Sequence, residues 1–567
     1  MHDIIIRGGR IVDGTGDEAF VGDVAVSDGS IVEVGEVSGR AAREVDAAGA
    51  IVTPGWVDIH THYDAQATWD PELTPSGWHG VTTVVMGNCG VGFAPAAPDR
   101  HQWLIELMEG VEDIPGSALA DGIQWGWESF PEYLDALDER RWVADIGTQV
   151  PHAAVRGYVM GDRAADGIEA SADDVSRMTD IVAESLAAGA LGFSTSRTPL
   201  HKSVHGDLVP GTSADPAEII AISNAIRDAG HGVFQCALHH PDVPQQMWWM
   251  KEIADRTGGY VSFNFNISDM EPDLWKDMLV ALEDANADRQ RIIGQVAGRP
   301  VGILQCWDGT VNPFLGRPTY EALSALPRDE RLKRLADPQI KARILSEEAE
   351  NPTALMRFLC SAYQRMWPFK GEADYEPAAS ESLAALAQAR HVDPAELAYD
   401  HLNTNGGTGL LYFPFLNYAA GDLEPLYRMH QHPHTRMGLA DGGAHCGTIC
   451  DGSMPTFMVS FWTRDRVRGP RLPLEEIVRR QTSETAALYG LNDRGRIAPG
   501  LRADLNVIDY ERLSVDTPAM AWDLPSGAPR FVQRPRGYLA TLCAGEVTIE
   551  RDEFTGVRPG KLVRGPR

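Results

Sequence analysis

Two histidines separated by one residue follow a short apolar run near the start of the chain. Residues 56–59 have the composition of a strand, and His60 and His62 come directly after them. Residues two apart on a strand face the same side, so both imidazoles can reach one metal ion. A bare His-x-His also arises from surface histidines or hydrogen-bonded core histidines. The metal-site hypothesis therefore depends on the elements around the pair.

The middle of the chain alternates short apolar runs with helical stretches, which is the pattern of βα units and a parallel sheet. It predicts an α/β fold, a (β/α)8 TIM-like barrel, with His60 and His62 at the carboxyl end of the first strand, where active sites form. The predicted strands are residues 56–59, 81–86, 142–148, 190–194, 232–236, 260–265, 410–413 and 437–440. Residues 316–400 have helical spacing and predict a helical insertion over the barrel mouth.

Both ends of the chain are rich in short β-type runs. Near the amino end, Asp28 and Gly29 separate two such runs and suit a type I′ hairpin turn. Short β-type runs occur again in residues 500–508 and 538–550. We therefore expect a small β-sandwich domain built from residues 1–54 and 490–567, with the barrel in residues 55–489.

Several segments spread over nearly the whole chain resemble the N-acyl-D-amino-acid deacylase (D-aminoacylase) branch of the amidohydrolase superfamily. They are residues 6–14, 54–62, 87–90, 189–195, the region of Asp441, and residues 495–504. The resemblance implies a zinc-dependent hydrolase that cleaves a carbon–nitrogen amide bond.

Two further residues follow predicted strands and match this branch. Cys89 lies in a glycine-flanked turn after residues 81–86, and the resemblance implies that it is a metal ligand where other amidohydrolases use a carboxylated lysine; a thiolate suits zinc. Asp441 follows residues 437–440, where the superfamily places its catalytic aspartate. That carboxylate would accept a proton from metal-activated water and pass it to the leaving nitrogen. A buried structural thiol and a turn aspartate are the alternatives.

The chain also departs from this branch, in which histidines at the ends of the fifth and sixth strands complete a second metal site. After the fifth predicted strand, either His239 or His240 could serve as the ligand, but the sixth strand offers no histidine. The branch's substrate-binding lysine beside the sixth-strand histidine is missing as well. The sequence thus predicts one zinc ion held by His60, His62, Cys89 and Asp441, and leaves a second ion open.

An anionic substrate would need other basic groups at the barrel mouth. Arg197 and Lys202 follow the fourth predicted strand, and Arg156 follows the third, although exposed basic side chains usually only solvate a surface. His445 has three open roles: orienting Asp441, contacting substrate, or closing its own loop.

Composition limits the remaining classes. The formal net charge of −30 argues against nucleic acid or an anionic membrane surface as a partner. The chain shows no long apolar span or secretory signal, so a cytoplasmic enzyme acting on a small-molecule amide is expected. Its seven scattered cysteines do not suggest a disulfide framework. Whether it forms a homo-oligomer stays open.

The leading hypothesis is deacylation of N-acyl-D-amino acids or related N-acyl amides. One alternative is a cyclic amide hydrolase or aminohydrolase of the same superfamily. Another is a catalytically silent assembly protein, which would be expected to have lost the metal ligands that this chain retains.

Overall fold

The computed structural model describes residues 1–164, 167–238, 242–287, 291–371 and 373–566. Within these residues, eight short parallel strands follow one another around a ring. A parallel bridge between Thr61 and Gly442 joins the end of the ring to its start. The strands are Trp56–Asp58, Val81–Met86, Asp145–Thr148 continued by Val150–Pro151, Gly192–Arg197, Val233–Leu238, Tyr260–Asn264, Ile292–Val296 and Thr435–Met437.

Most residues of these strands are buried, as expected for parallel strands that are covered on both faces. Helices connect the strands and pack against them and one another. Ala172–Ala188 is typical: Ser171 and Asp174 form a capping box, and Met178, Val182 and Leu186 form a buried stripe. The other helices around the ring are His101–Glu112, Gly116–Gly122, Phe130–Asp138, His152–Met160, Pro216–Ala229, Val243–Thr257, Leu274–Asn286, Glu424–Gln431, Met454–Ser460, Leu474–Arg480 and Ser483–Leu488.

Our prediction for the seventh strand is wrong. That strand is Ile292–Val296, which pairs in parallel with Tyr260–Asn264 and Thr435–Met437. The predicted segment 410–413 instead belongs to Leu411–Pro414, which pairs antiparallel with Gly302–Gln305 and Trp367–Pro368. Both segments are short apolar runs, and apolar composition encodes neither the direction of a strand nor its partner.

The long excursion from the ring therefore lies after the seventh strand, not before it. It contains the small antiparallel sheet and its own apolar cluster, which includes Trp307, Phe314 and Tyr399. Its helices are Pro318–Ser324, Arg328–Leu335, Pro338–Ser346, Ala354–Ser361, Leu383–Arg390, Pro394–Leu402 and Thr404–Gly407.

Strands from both chain ends form one mixed sheet. Over the described residues it contains Glu553–Phe554, Glu546–Glu550, Tyr538–Cys543, Leu505–Ile508, Ile51–Pro54, His2–Ile11, Phe20–Ser27 and Ser30–Gly35, with Ala41–Asp46 beside His2–Ile11. The predicted hairpin turn is confirmed, because Ser27 pairs with Ser30 and both Asp28 and Gly29 have positive φ. The domain boundaries near residues 54 and 490 stay predictions.

The segment between two of these strands leaves the sheet and reaches the barrel mouth. It contains two short strand pairs, Ser514–Val515 with Pro535–Arg536 and Ala519–Ala521 with Arg530–Val532. The Phe531 amide donates to the Cys446 carbonyl at 2.7 Å, a few residues beyond Asp441. Among the helices described, none is long and apolar enough to cross a membrane.

Candidate metal centre

The first and eighth strands place two histidines inside the ring. The Thr61 amide donates to the Val85 carbonyl at 3.1 Å, and the His62 amide donates to the Gly442 carbonyl at 2.8 Å. The segment is thereby fixed between the second and eighth strands. His60 and His62 are each 1% exposed, and their ring centroids are 5.4 Å apart. The alternation predicted for a strand therefore continues past Asp58 and brings both rings together.

A tight turn after the second strand brings Cys89 to the same point. A side chain at Gly87 would place its Cβ 2.2 Å from the Gln149 carbonyl oxygen, so only glycine fits there. Cys89 has a φ of 58°, and its amide donates to Gln235 Oε1 at 2.8 Å. Its Sγ lies 3.3 Å from His60 Nε2. The turn therefore aims the sulfur at the histidine pair.

Asp441 reaches the pair from the end of the eighth strand. Its amide donates to the His60 carbonyl at 3.1 Å, and its Oδ1 lies 3.4 Å from His60 Nε2 and 3.7 Å from His62 Nε2. Asp441 has a φ of 47°, so this residue joins Cys89 in the left-handed region that side chains rarely adopt. Such strained residues cluster at functional sites.

These side chains fit a metal ion. Ligand atoms of His60, His62 and Cys89 all lie within 4.8 Å of one another. Two ligands of one tetrahedral zinc, bound at about 2.0–2.3 Å, are separated by roughly 3.3–3.8 Å, which matches the contacts of Asp441 with both histidines. Two imidazoles, a thiol and a carboxylate also form a donor set that zinc accepts.

Burial dominates the electrostatics of the site. It lowers the pKa of His60 to about 4 and raises the pKa of the Cys89 thiol to about 12. Burial would also raise the pKa of Asp441, but the close contact with His62 and the charges of the histidines lower it below its usual range. A metal cation would stabilise the thiolate and the carboxylate in this buried position.

Two residues that the sequence analysis missed support the histidines from behind. Gln295 Oε1 lies 2.6 Å from His60 Nδ1, and Gln295 Nε2 donates to Ser262 Oγ at 2.9 Å. Glu112 Oε1 lies 3.3 Å from His62 Nδ1, without the alignment of a hydrogen bond, and both atoms are buried and lack hydrogen-bond partners. Such outer contacts fix ligand orientation in metal sites.

One of these residues had a signal in the sequence. Gln295 is a polar residue inside the apolar run Ile292–Val296, and that run was not assigned to the ring. Glu112 ends the helix His101–Glu112, where an acidic residue before a turn carries no special signal.

The structure does not bring all predicted substrate-binding residues to this centre. Arg156 is buried and directed at Glu218 and the carbonyls of Ala164 and Ile168. Arg197 donates to the carbonyls of Gly211 and Ala214.

Lys202 and His445 differ in position. Lys202 is exposed, whereas His445 Nε2 lies 3.7 Å from Glu112 Oε2, close to the histidine pair. His239 and His240 lie outside the described residues.

Comparison with known proteins agrees with this architecture. The sequence model that describes the amidohydrolase family matches residues 43–549 of this chain. The N-acyl-D-glutamate deacylase of Alcaligenes xylosoxydans xylosoxydans is 27% identical over 576 residues, covering 99% of this chain and 96% of the relative. A crystal structure of D-aminoacylase superimposes with a TM-score of 0.67 at 24% identity, covering all of both chains.

A second structure is similar to this fold. It is the N-acyl-D-glutamate deacylase of Bordetella bronchiseptica in complex with zinc and a phosphonate inhibitor that mimics the tetrahedral intermediate. It has a TM-score of 0.65 and 22% identity, again covering all of both chains.

The chain belongs to the amidohydrolase family. More particularly, it resembles the D-aminoacylase-like branch and is a hydrolase of carbon–nitrogen bonds other than peptide bonds.

Proposed function

We propose that this chain is a zinc-dependent deacylase of N-acyl-D-amino acids. The observation that carries the proposal is the convergence of His60, His62, Cys89 and Asp441 at the carboxyl ends of three strands. The stereochemistry and the amino-acid product are suggested by the full-length relatives, which are deacylases of N-acyl-D-glutamate and N-acyl-D-aspartate.

In the proposed reaction, His60, His62, Cys89 and Asp441 would hold one zinc ion. Bound zinc would lower the pKa of a water molecule and polarise the scissile carbonyl group. Gln295 would orient the His60 imidazole through Nδ1, and the Glu112 carboxylate would act on His62 as a nearby charge.

Asp441 is the proton carrier of the reaction. Its carboxylate accepts a proton from the attacking water and delivers that proton to the leaving nitrogen. A carbon–oxygen bond forms as the carbon–nitrogen bond breaks, and the products are a carboxylic acid and a free amino acid. Burial of the site keeps bulk water away from this transfer.

The first experiment measures bound metal and turnover together. The purified protein is stripped with a chelator, reloaded with zinc and tested on matched N-acetyl-D and N-acetyl-L amino acids, peptides and cyclic amides. We expect zinc by elemental analysis, loss of activity on stripping, recovery on reloading, and preference for the D series. Zinc-loaded protein that hydrolyses no N-acyl amino acid would overturn the proposal.

The proton-carrier role is tested with Asp441→Asn. We expect kcat to fall by about 10²–10⁴-fold, because general acid–base catalysis contributes that much. The variant should still bind zinc through the three remaining ligands. Asp138→Asn is the control, since Asp138 is an exposed residue that pairs with Arg564. Near-normal turnover by Asp441→Asn would contradict the assigned role.

A further inference from the structure

Another imidazole lies near the metal centre, on the loop that follows the fourth strand. His201 Nδ1 is 3.0 Å from the hydroxyl oxygen of Ser196, a fully buried residue of the strand Gly192–Arg197. Ser196 packs against Gly90, where an added Cβ would lie 2.7 Å from the Ser196 amide nitrogen. Because Gly90 directly follows Cys89, this contact anchors His201 next to the centre.

The same loop is held from its other side by the helix His101–Glu112. A Cβ at Gly110 would lie 2.4 Å from both the Lys202 carbonyl oxygen and the Val204 amide nitrogen, so loop and helix are in direct contact. The Val204 amide also donates to the Glu106 carbonyl at 3.3 Å. This helix ends at Glu112, which contacts His62 and His445. His201 is therefore fixed between the fourth strand and the helix that supports the metal ligands.

The surroundings of His201 disfavour protonation of its imidazole. Burial lowers its pKa to about 3, and the nearby His445, His62 and His60 act in the same direction, whereas Asp441 opposes them. These neighbours are residues of the candidate centre, so His201 lies near that centre. Over the described residues, Ser196 is its hydrogen-bonding side-chain partner, which leaves Nε2 available.

We propose that His201 is a catalytic residue that donates a hydrogen bond from Nε2–H to the oxygen of the scissile carbonyl. The Ser196 hydroxyl donates to Nδ1 and thereby selects the tautomer that carries its proton on Nε2. The histidine keeps this proton throughout, and negative charge gathers on the carbonyl oxygen as the attacking water adds. This inference rests on the proposed function.

A hydrogen-bond donor at this position would stabilise the negative charge that develops on the carbonyl oxygen. Hydrogen-bond donors aimed at developing negative charge are often the largest single contribution to catalysis. A neutral imidazole can act in this way when its environment prevents protonation. The sixth strand, Tyr260–Asn264, supplies no histidine, so the chain lacks that source of a second cation. His201 would provide the second polar contact for the carbonyl oxygen.

The experiment compares His201→Ala and His201→Gln with His205→Ala. His205 is the matched control, because it lies on the same loop but is 63% exposed and contacts Glu106. Each zinc-loaded variant is assayed for kcat, KM, zinc content and affinity for methylphosphonate, a small tetrahedral anion. Affinity is measured by isothermal titration calorimetry.

For His201→Ala we expect kcat to fall by about 10²–10³-fold, the usual effect of removing one such donor. Zinc content and KM should stay close to those of the parent protein. Methylphosphonate affinity should fall by about tenfold, since hydrogen bonds to charged groups contribute at least that much. His201→Gln should recover part of both losses, because its amide also donates, and His205→Ala should match the parent protein.

Two results would overturn the inference. One is unchanged kcat and unchanged methylphosphonate affinity in His201→Ala. The other is a loss of activity that follows a proportional loss of zinc, which would make His201 a structural support of the centre. If the parent protein hydrolyses no N-acyl amino acid, the proposed function fails, while methylphosphonate affinity still decides whether His201 contacts a tetrahedral oxyanion.

Discussion

Two groups of buried charged residues lie at opposite ends of the barrel strands. At the amino end, Asp145 begins the third strand and contacts Arg494 at 2.7 Å and Arg502 at 3.0 Å. Arg502 also contacts Asp504 at 3.0 Å, and the Lys561 amide donates to Asp145. Both oxygens of the Asp145 carboxylate are therefore satisfied by cationic or amide groups.

The group at the carboxyl end is satisfied less completely. His62 Nδ1 and Glu112 Oε1 are both buried without a hydrogen bond, and Asp441 and Cys89 have backbones in the left-handed region. Unsatisfied buried polar groups and strained backbones destabilise a fold unless a ligand compensates. We therefore expect the amino-end group to serve stability and the carboxyl-end group to hold the proposed metal ion, since active sites of barrels form at the carboxyl ends of the strands.

The largest expected stability effect is at the amino end. Asp145→Ala removes the buried carboxylate that Arg494 and Arg502 share, and breaking a buried pair costs about 3–5 kcal/mol of the free energy of unfolding. Urea denaturation measures this loss. Zinc content and kcat of the folded variant should stay at parental values, since the change is remote from the metal centre.

Asp493→Ala is the control for that substitution. Asp493 contacts the same guanidinium at 2.9 Å but is 57% exposed, so we expect a loss of at most about 1 kcal/mol. Equal losses in the two variants, or a large loss of zinc in Asp145→Ala, would remove the distinction between the two ends.

At the carboxyl end, Gln295→Leu should have the opposite effect, which is a loss of zinc affinity with a smaller change in stability. This variant removes the acceptor that orients His60, and outer-contact substitutions typically weaken metal affinity by about 10–100-fold. The free energy of unfolding of the metal-free protein should change less than in Asp145→Ala. Competition with a chelating dye measures the zinc affinity.

Gln295→Glu keeps an acceptor oxygen in the same position and serves as the control. It should retain zinc affinity close to that of the parent protein. Parental affinity in Gln295→Leu would show that the His60 ring is held by the barrel alone.

The sequence alone predicted those features whose pattern lies within a few neighbouring residues. His60 and His62 are two apart after an apolar run, and the Asp28–Gly29 turn needs residues that tolerate positive φ, so both features are visible in a few letters. The seventh strand could not be predicted in this way, because its assignment depends on residues that are distant in the sequence. Ile292–Val296 and Leu411–Pro414 have similar composition, and only their pairing partners distinguish them.

The sequence did not reveal the residues that support the metal centre, because they are also distant in sequence from the histidines they contact. Glu112 reaches His62 across fifty positions of sequence, and Gln295 reaches His60 across more than two hundred. Arg156 shows the converse, because its position after a predicted strand favoured substrate binding, whereas its guanidinium is directed at Glu218 and two carbonyls. Strand ends identify candidate residues, but side-chain partners decide their roles.

His79 tests whether the contrast between satisfied and unsatisfied buried groups also holds for a residue that carries no charge. His79 is fully buried, with Nδ1 2.8 Å from Thr456 Oγ1 and Nε2 2.9 Å from the Gln533 carbonyl oxygen. Burial lowers its pKa to about 3; the Gln533 contact opposes this, and Arg299 and Arg534 reinforce it. Both ring nitrogens have partners, so His79 resembles the satisfied amino-end group although it is uncharged.

The expected effect is a pH-dependent stability. Between the folded pKa of about 3 and the unfolded pKa of about 6.5, the unfolded chain binds more protons, so the free energy of unfolding decreases as pH falls. One such group contributes about 1.4 kcal/mol per pH unit well below the unfolded value. His79→Gln should reduce this slope in urea denaturation, whereas His205→Gln, at an exposed position, should keep it. Identical slopes in the parent protein and His79→Gln would mean that this imidazole is protonated in the folded state, and that satisfied contacts do not keep buried groups neutral here.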